Sequence, residues 1–307
     1  DAAQLTPSEI NTLERAGSTF HAHVIGAPDE AASTVATDDA ILLLESIAST
    51  SPTARDALLD CIEAEITQPC GAPPPERLAH LLLRAARAIQ SAPDLAAPTL
   101  LPRLHSWMGH ATALLDSPAA SAADAIPKDA AIQIATALAS FFESPQNAPV
   151  AAANAWARAA RLASEASLPP TAIDSLFEKA LSLADAGAAH ALCVTLHVAR
   201  AELHTGRDRA TILVAAAEAT LLAGQSTDDA IELIGLAHKT DPTWPAPLSR
   251  GFEILVQAGF PARAVEVAAI LCDVAPPSER VSILHERARL FETSLHDPDA
   301  AMRDLRA

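Results

Sequence analysis

The sequence predicts an all-α protein of about fourteen helices, arranged as antiparallel helix pairs. Tyrosine is absent and aromatic residues make up 3% of the chain, so the aromatic and β-branched runs that sheets require are scarce. Clusters of Pro, Gly, Asp and Ser recur roughly every 12 to 20 residues, with apolar residues at helical spacing between them. A chain of 307 residues is also long for one compact core, which favours growth by repetition.

Helix start signals recur along the whole chain. Thr6–Glu9 offers an N-cap, a proline at the first helical position and a glutamate two residues later. Ser51–Pro52 likewise combines an N-cap residue with a proline at the first helical position. Comparable starts are predicted at Pro75, Pro93, Lys128, Pro149, Pro170, Asp208, Thr227, Pro245, Pro261, Ser278 and Pro298.

Two stretches rich in Pro, Ala and Ser, 117–127 and 143–149, are the best linker candidates. We therefore predict an N-terminal helical region over 1–145 and a repeat region over 146–307. The alternative is one continuous array, in which the first part consists of diverged repeats.

Charge and hydropathy exclude several classes of partner. The net charge is −17, from 38 acidic and 21 basic residues, which disfavours nucleic acid because its phosphates bind Lys and Arg. The longest apolar stretches are far shorter than the ~20 residues that span a bilayer, so no membrane insertion is expected. We expect a cytoplasmic protein, and an excess of Arg over Lys favours a GC-rich bacterial source. Asp1 at the start and a helical pattern running into Ala307 suggest a piece of a longer protein.

An internal repeat is visible in the last third of the chain. Ala230 and Ala264 are 34 residues apart, each early in a predicted helix, and each is followed twelve residues later by a proline, Pro242 or Pro276. A third copy places Ala301 37 residues after Ala264. A glycine closes the preceding helix in the first two copies.

This spacing resembles the tetratricopeptide repeat, clearest over 205–307 and extending weakly to about residue 170. The family's fold is a right-handed α-solenoid, in which small residues let the two helices of a repeat cross closely. Ala217, Gly251 and Ala288 supply small residues in the first helices. The family's signature Trp and Tyr are missing, and Phe252 stands where the family usually has glycine.

The resemblance implies a non-catalytic scaffold that binds a partner peptide or subunit on the concave face of the first helices. Carried over by position, that face comprises Thr211, Val214, Glu218, Ser249, Glu253, Val256, His285, Arg289 and Glu292. It holds more acid than base, so we expect a basic peptide. The alternatives are solvated positions without a ligand, a structural spacer in a larger assembly, or an enzyme without a recognisable motif in 1–165. Oligomeric state is left open.

No motif in the sequence indicates a catalytic, metal or cofactor site. His190, His197 and His204 recur every seven residues on one predicted helix, about 10.5 Å apart along its axis, so they cannot share an ion. We interpret them as partly exposed side chains. Glu63 and Glu65 are interpreted as two solvated charges, and no phosphate-binding loop or nucleophile turn is present.

The few large aromatic and sulfur side chains are assigned mainly to the core. Phe141, Phe142 and Trp156 are predicted to fill the space between helix layers. Four cysteines do not form a disulfide framework, although Cys61 and Cys70 could pair in an oxidising compartment.

Overall fold

The computed structural model describes residue 12 and residues 30–48, 51–67, 73–92, 100–117, 126–144 and 146–306. Helix accounts for 83% of this part of the chain, which contains fourteen helices and no strand. Within residues 30–165 and within residues 170–306, consecutive helices pack against each other, so they run antiparallel. The predicted all-α class is confirmed.

Contacts between Cα atoms divide the chain into an N-terminal unit, Asp1–Pro169, and a C-terminal unit, Pro170–Ala307. This division lies 24 residues beyond the boundary expected after residue 145. The described helices of the N-terminal unit are α1 Glu30–Ala48, α2 Pro52–Ile66, α3 Pro75–Gln90, α4 Leu101–Asp116, α5 Lys128–Glu143 and α6 Pro149–Glu165. Those of the C-terminal unit are α7 Pro170–Ala186, α8 His190–Ala201, α9 Gly206–Leu222, α10 Thr227–Thr240, α11 Ala246–Gln257, α12 Pro261–Val274, α13 Pro277–Thr293 and α14 Pro298–Arg306.

Most predicted helix starts are confirmed to within two residues, because proline and N-cap signals act locally. At α2, the Ser51 hydroxyl accepts a hydrogen bond from the Ala54 amide at 3.2 Å. The starts of α1 at Glu30, α4 at Leu101 and α8 at His190 were not predicted. The expected starts at Thr6 and Pro93 lie outside the described residues.

The core of the N-terminal unit contains two of the three aromatic residues that the sequence placed there, while Phe142 is only partly buried. Phe141 and Trp156 are buried, and the rings of Trp107 and Phe141 meet edge to face with centroids 5.0 Å apart. The Trp107 indole donates a hydrogen bond to the Leu82 carbonyl at 2.7 Å. These contacts join α4 to both α3 and α5.

The interpretation of Glu63 and Glu65 as solvated charges is wrong for Glu65. Its side chain is 6% exposed and forms an ion pair with Arg77 of α3. Glu63 accepts a hydrogen bond from the Ser106 hydroxyl at 3.1 Å. Helices α3 and α4 pack beside α2 and supply the partners of both glutamates. The two-residue spacing of the glutamates did not indicate these contacts.

Small residues lie buried where the helices of the C-terminal unit cross, as the repeat spacing predicted. Ala217, Ala230 and Ala264 are fully buried, and Ala301 is nearly so. A Cβ atom on Gly251 would lie 2.7 Å from Ile234 Cδ1 and 2.9 Å from its Cγ2, so α10 and α11 approach too closely for a side chain there.

Helices α9 and α11 end in the same backbone turn, whereas α13 ends in a longer one. Gly224 and Gly259 have left-handed φ values of 67° and 80°, and the amides that follow them bond back to the Thr220 and Leu255 carbonyls. After α13 the left-handed residue is His296, with φ of 55°, and the Asp297 amide bonds to the Phe291 carbonyl six residues earlier, whereas the other two bonds span five residues. The first two copies therefore share one helix-closing geometry, and the third closes with one more residue.

A charged cluster joins α7 to α8. The Arg200 guanidinium donates to both Asp174 oxygens at 2.6 and 2.9 Å, and the His204 Nε2 donates to Asp174 Oδ1 at 2.8 Å. Hydrogen bonding from Arg200, with a further contribution from His204, lowers the pKa of the Asp174 carboxyl. Glu178 also accepts from Arg200 at 2.7 Å.

We expect the Asp174→Asn variant to be less stable than the wild type by about 1.5–3 kcal/mol at pH 7. The pKa of Asp174 is lower in the folded state than in the unfolded state. Its contribution to the free energy of unfolding is therefore complete above the unfolded pKa of ~3.9 and disappears as pH falls through the folded pKa. Urea midpoints of both proteins at several pH values test this. A stability difference that persists undiminished well below pH 4 would contradict it.

His190, His197 and His204 are half-buried, which agrees with the predicted partial exposure. The prediction that all three lie on one helix is wrong. Because α8 ends at Ala201, His204 lies in the turn that follows, where Asp174 holds it. Burial lowers the pKa of His197.

The possible pairing of Cys61 with Cys70 falls partly outside the described residues, because Cys70 is not among them. Cys61 is fully buried, and burial raises the pKa of its thiol to about 12.

Candidate functional site

The predicted binding face lies on α9, α11 and α13, which we call the first helices, while α10, α12 and α14 are the second helices. Helix α9 contacts α11 directly, and side chains of α11 and α13 line a common cleft. The first helices therefore form a row with an open cleft between each neighbouring pair.

The cleft between α9 and α11 encloses about 270 Å³. Its lining contains three of the predicted positions, Thr211, Val214 and Glu218, and on the α11 side Pro247 and Arg250. Val214 is buried in the floor, next to half-buried Trp244 from the turn before α11. This turn is held by Asp241, which accepts hydrogen bonds from the Thr243 amide and hydroxyl at 3.2 and 2.8 Å.

Arg250 joins the two acidic residues that were predicted to attract a basic ligand. Its Nε donates to Glu218 Oε1 at 2.7 Å and its Nη1 donates to Glu253 Oε2 at 2.9 Å. The hydrogen bond to Glu253 contributes most to raising the pKa of the Arg250 guanidinium, and the bond to Glu218 adds to it. Sequence reasoning missed Arg250, and the face is consequently less acidic than Glu218 and Glu253 alone suggested.

The cleft between α11 and α13 encloses about 340 Å³. Its floor is apolar, made by Phe252, Val256 and Ile283, which pack on the buried core between the helices, and by Leu271, which belongs to that core. Ser249 and Glu253 stand on one wall, and the opposite wall carries Ser282 and Glu286.

His285, Arg289 and Glu292 line neither cleft, although all three are exposed on α13. The residues 36 positions earlier, Ser249, Glu253 and Val256, face the next first helix, α13. No first helix follows α13 within the described part of the chain, so the three α13 residues have no such neighbour there. Glu286, which the sequence analysis missed, lies 36 residues after Arg250, and both face the preceding first helix. Arg289 reaches this wall through an ion pair with Glu286 at 2.7 Å.

No protein-family model and no curated protein matches this chain. It is similar to a solved structure described as "Computational Design of Self-Assembling Cyclic Protein Homooligomers", at 16% identity over 97% of this chain and 95% of that chain, with a TM-score of 0.14. Because this TM-score is far below that of related folds, the fold assignment rests on the helix packing described above. The resemblance to tetratricopeptide repeats stays a prediction.

Two further properties of the described residues concern metal binding and membranes. No group of three or more His, Cys, Asp or Glu side chains in this part of the chain is placed to hold a metal ion. None of its helices is both long enough and apolar enough to cross a bilayer.

Proposed function

We propose that the C-terminal unit is a non-catalytic scaffold that binds a segment of a partner protein across the row of first helices. The observation that carries this proposal is the pair of clefts on either side of α11, with volumes of about 270 and 340 Å³. Each cleft combines an apolar floor with polar side chains on its walls, which suits a peptide that needs both anchoring and orientation.

The position of Arg250 also supports a binding role for this face. Its side chain is 49% exposed, and exposed ion pairs contribute only about 0–1 kcal/mol each. The bonds to Glu218 and Glu253 can therefore be rearranged by a ligand at little cost. A face of this kind is able to exchange its own ion pairs for contacts with a partner.

We expect that replacing Glu218 and Glu253 together by lysine will reduce capture of partner proteins from a lysate of the source cells by the full chain. The double variant places two lysines beside Arg250 and so reverses the charge between α9 and α11. Affinity capture followed by mass spectrometry measures the change, with circular dichroism to verify the fold.

A matched control is available on the second helices, where Glu232 and Asp273 are exposed. Glu232→Lys with Asp273→Lys changes the net charge by the same amount and should leave capture unaffected. If the control loses partners and the Glu218/Glu253 variant retains them, the binding surface lies elsewhere. That result would favour the alternative function, a spacer that contacts its assembly through other faces.

A further inference from the structure

The cleft between α11 and α13 differs from its neighbour in having a glutamate on each wall above a continuous apolar floor. Glu253 belongs to α11 and Glu286 to α13, while Phe252, Val256 and Ile283 lie between them. We infer that this cleft recognises a partner segment carrying one apolar anchor side chain with a lysine or arginine beside it. The inference rests on the proposed function, because it names the ligand chemistry of the same face.

The floor supplies the apolar part of this recognition. Phe252, Val256 and Ile283 are only partly buried, and they lie over a core that contains Leu255, Leu271 and Leu290. A side chain placed on them would remove apolar surface from water without requiring the core to open. A cleft of about 340 Å³ has room for one aliphatic or aromatic anchor and its neighbours.

The walls supply the charge. Glu253 Oε2 accepts a hydrogen bond from Arg250 at 2.9 Å, and Glu286 Oε2 forms an ion pair with Arg289 at 2.7 Å, each arginine lying three residues away on the same helix. Within the described residues, the Oε1 atoms of both carboxylates accept no hydrogen bond. A carboxylate can accept several hydrogen bonds, so each glutamate can bind a ligand cation while keeping its arginine.

The balance of charge favours a cation over an anion in this cleft. The charged side chains that line this cleft are Glu253 and Glu286, whereas their ion-pair partners Arg250 and Arg289 are not among its lining residues. Arg289 is 62% exposed, so its positive charge is screened by water on the outer side. The net charge of −17 adds a long-range attraction for basic segments.

The test begins with selection of displayed random peptides of about ten residues, which extend to roughly 33 Å, on the immobilised full chain. We expect enriched peptides to share an aliphatic or aromatic residue next to Lys or Arg. A synthetic copy of the most enriched peptide should bind Glu253→Gln/Glu286→Gln roughly three- to tenfold more weakly than wild type. The control Glu232→Gln/Asp273→Asn, on the second helices, should bind it as the wild type does.

A second variant, Val256→Thr with Ile283→Thr, distinguishes a failure of this inference from a failure of the proposed function. Peptides that lose affinity for this variant but contain no basic residue would overturn the inference and leave the proposed function standing. Absence of enrichment, or binding that none of the cleft variants changes, would overturn both. Melting curves by circular dichroism verify that each variant is folded.

Discussion

Arg287→Met is expected to destabilise the C-terminal unit by roughly 3 kcal/mol, the largest effect that the structure predicts for a single substitution. Arg287 Nε donates to Asp304 Oδ2 at 2.6 Å and its Nη2 donates to Oδ1, so α13 holds α14 through a two-pronged ion pair. Asp304 is only 8% exposed. Methionine preserves much of the side-chain volume but leaves the carboxylate buried without its cation.

The double variant Arg287→Met/Asp304→Leu is the matched control for this prediction. With both charges replaced by apolar side chains, no buried charge is left uncompensated, and most of the lost stability should return. Urea unfolding measures the free energies, and hydrogen exchange of the α14 amides reports whether that helix stays docked. A double variant as unstable as the single one would mean that Arg287 acts through its packing and not through its charge.

Ala264→Leu is expected to cost about 1–3 kcal/mol, because α12 has no room for a larger side chain at that position. Ala264 is fully buried and packs in one cluster with Ala230, Leu255 and Val267. Leucine would force α12 away from its neighbours. The midpoint of urea unfolding should fall accordingly.

Ala269→Leu provides the comparison for Ala264→Leu on the same helix. Ala269 is exposed on α12, so leucine there has space and a similar helix propensity. Its unfolding midpoint should stay near that of the wild type. If both variants unfold at the wild-type midpoint, the crossing of α12 with its neighbours is not as close as the structure describes.

The candidate site was only partly predictable from the sequence. The 34-residue spacing of Ala230 and Ala264 placed Ser249 and Glu253 on a first helix, and both line a cleft in the structure. Arg250 and Glu286 were missed, because a repeat spacing aligns the helices along the chain without stating which side of each faces its neighbour. His285 lies one position from Glu286 and lines neither of the two clefts beside α11.

The sequence by itself determined the all-α class, most helix boundaries and the buried small residues of the last third of the chain. These properties follow from local signals: prolines at helix starts, left-handed glycines such as Gly224 at helix ends, and apolar spacing between them. Such signals act within a few residues and are readable without the fold.

Only the tertiary structure decided which charges meet. Glu65 is buried against Arg77, Arg250 links Glu218 to Glu253, and Arg287 holds Asp304, across separations of up to 32 residues. A helix presents charged residues on several faces, and a rotation of one residue, about 100°, brings a different one to the neighbour. The rotation of each helix is set by packing of its apolar side chains against the neighbouring helices, and this packing places the acids and arginines of the two clefts.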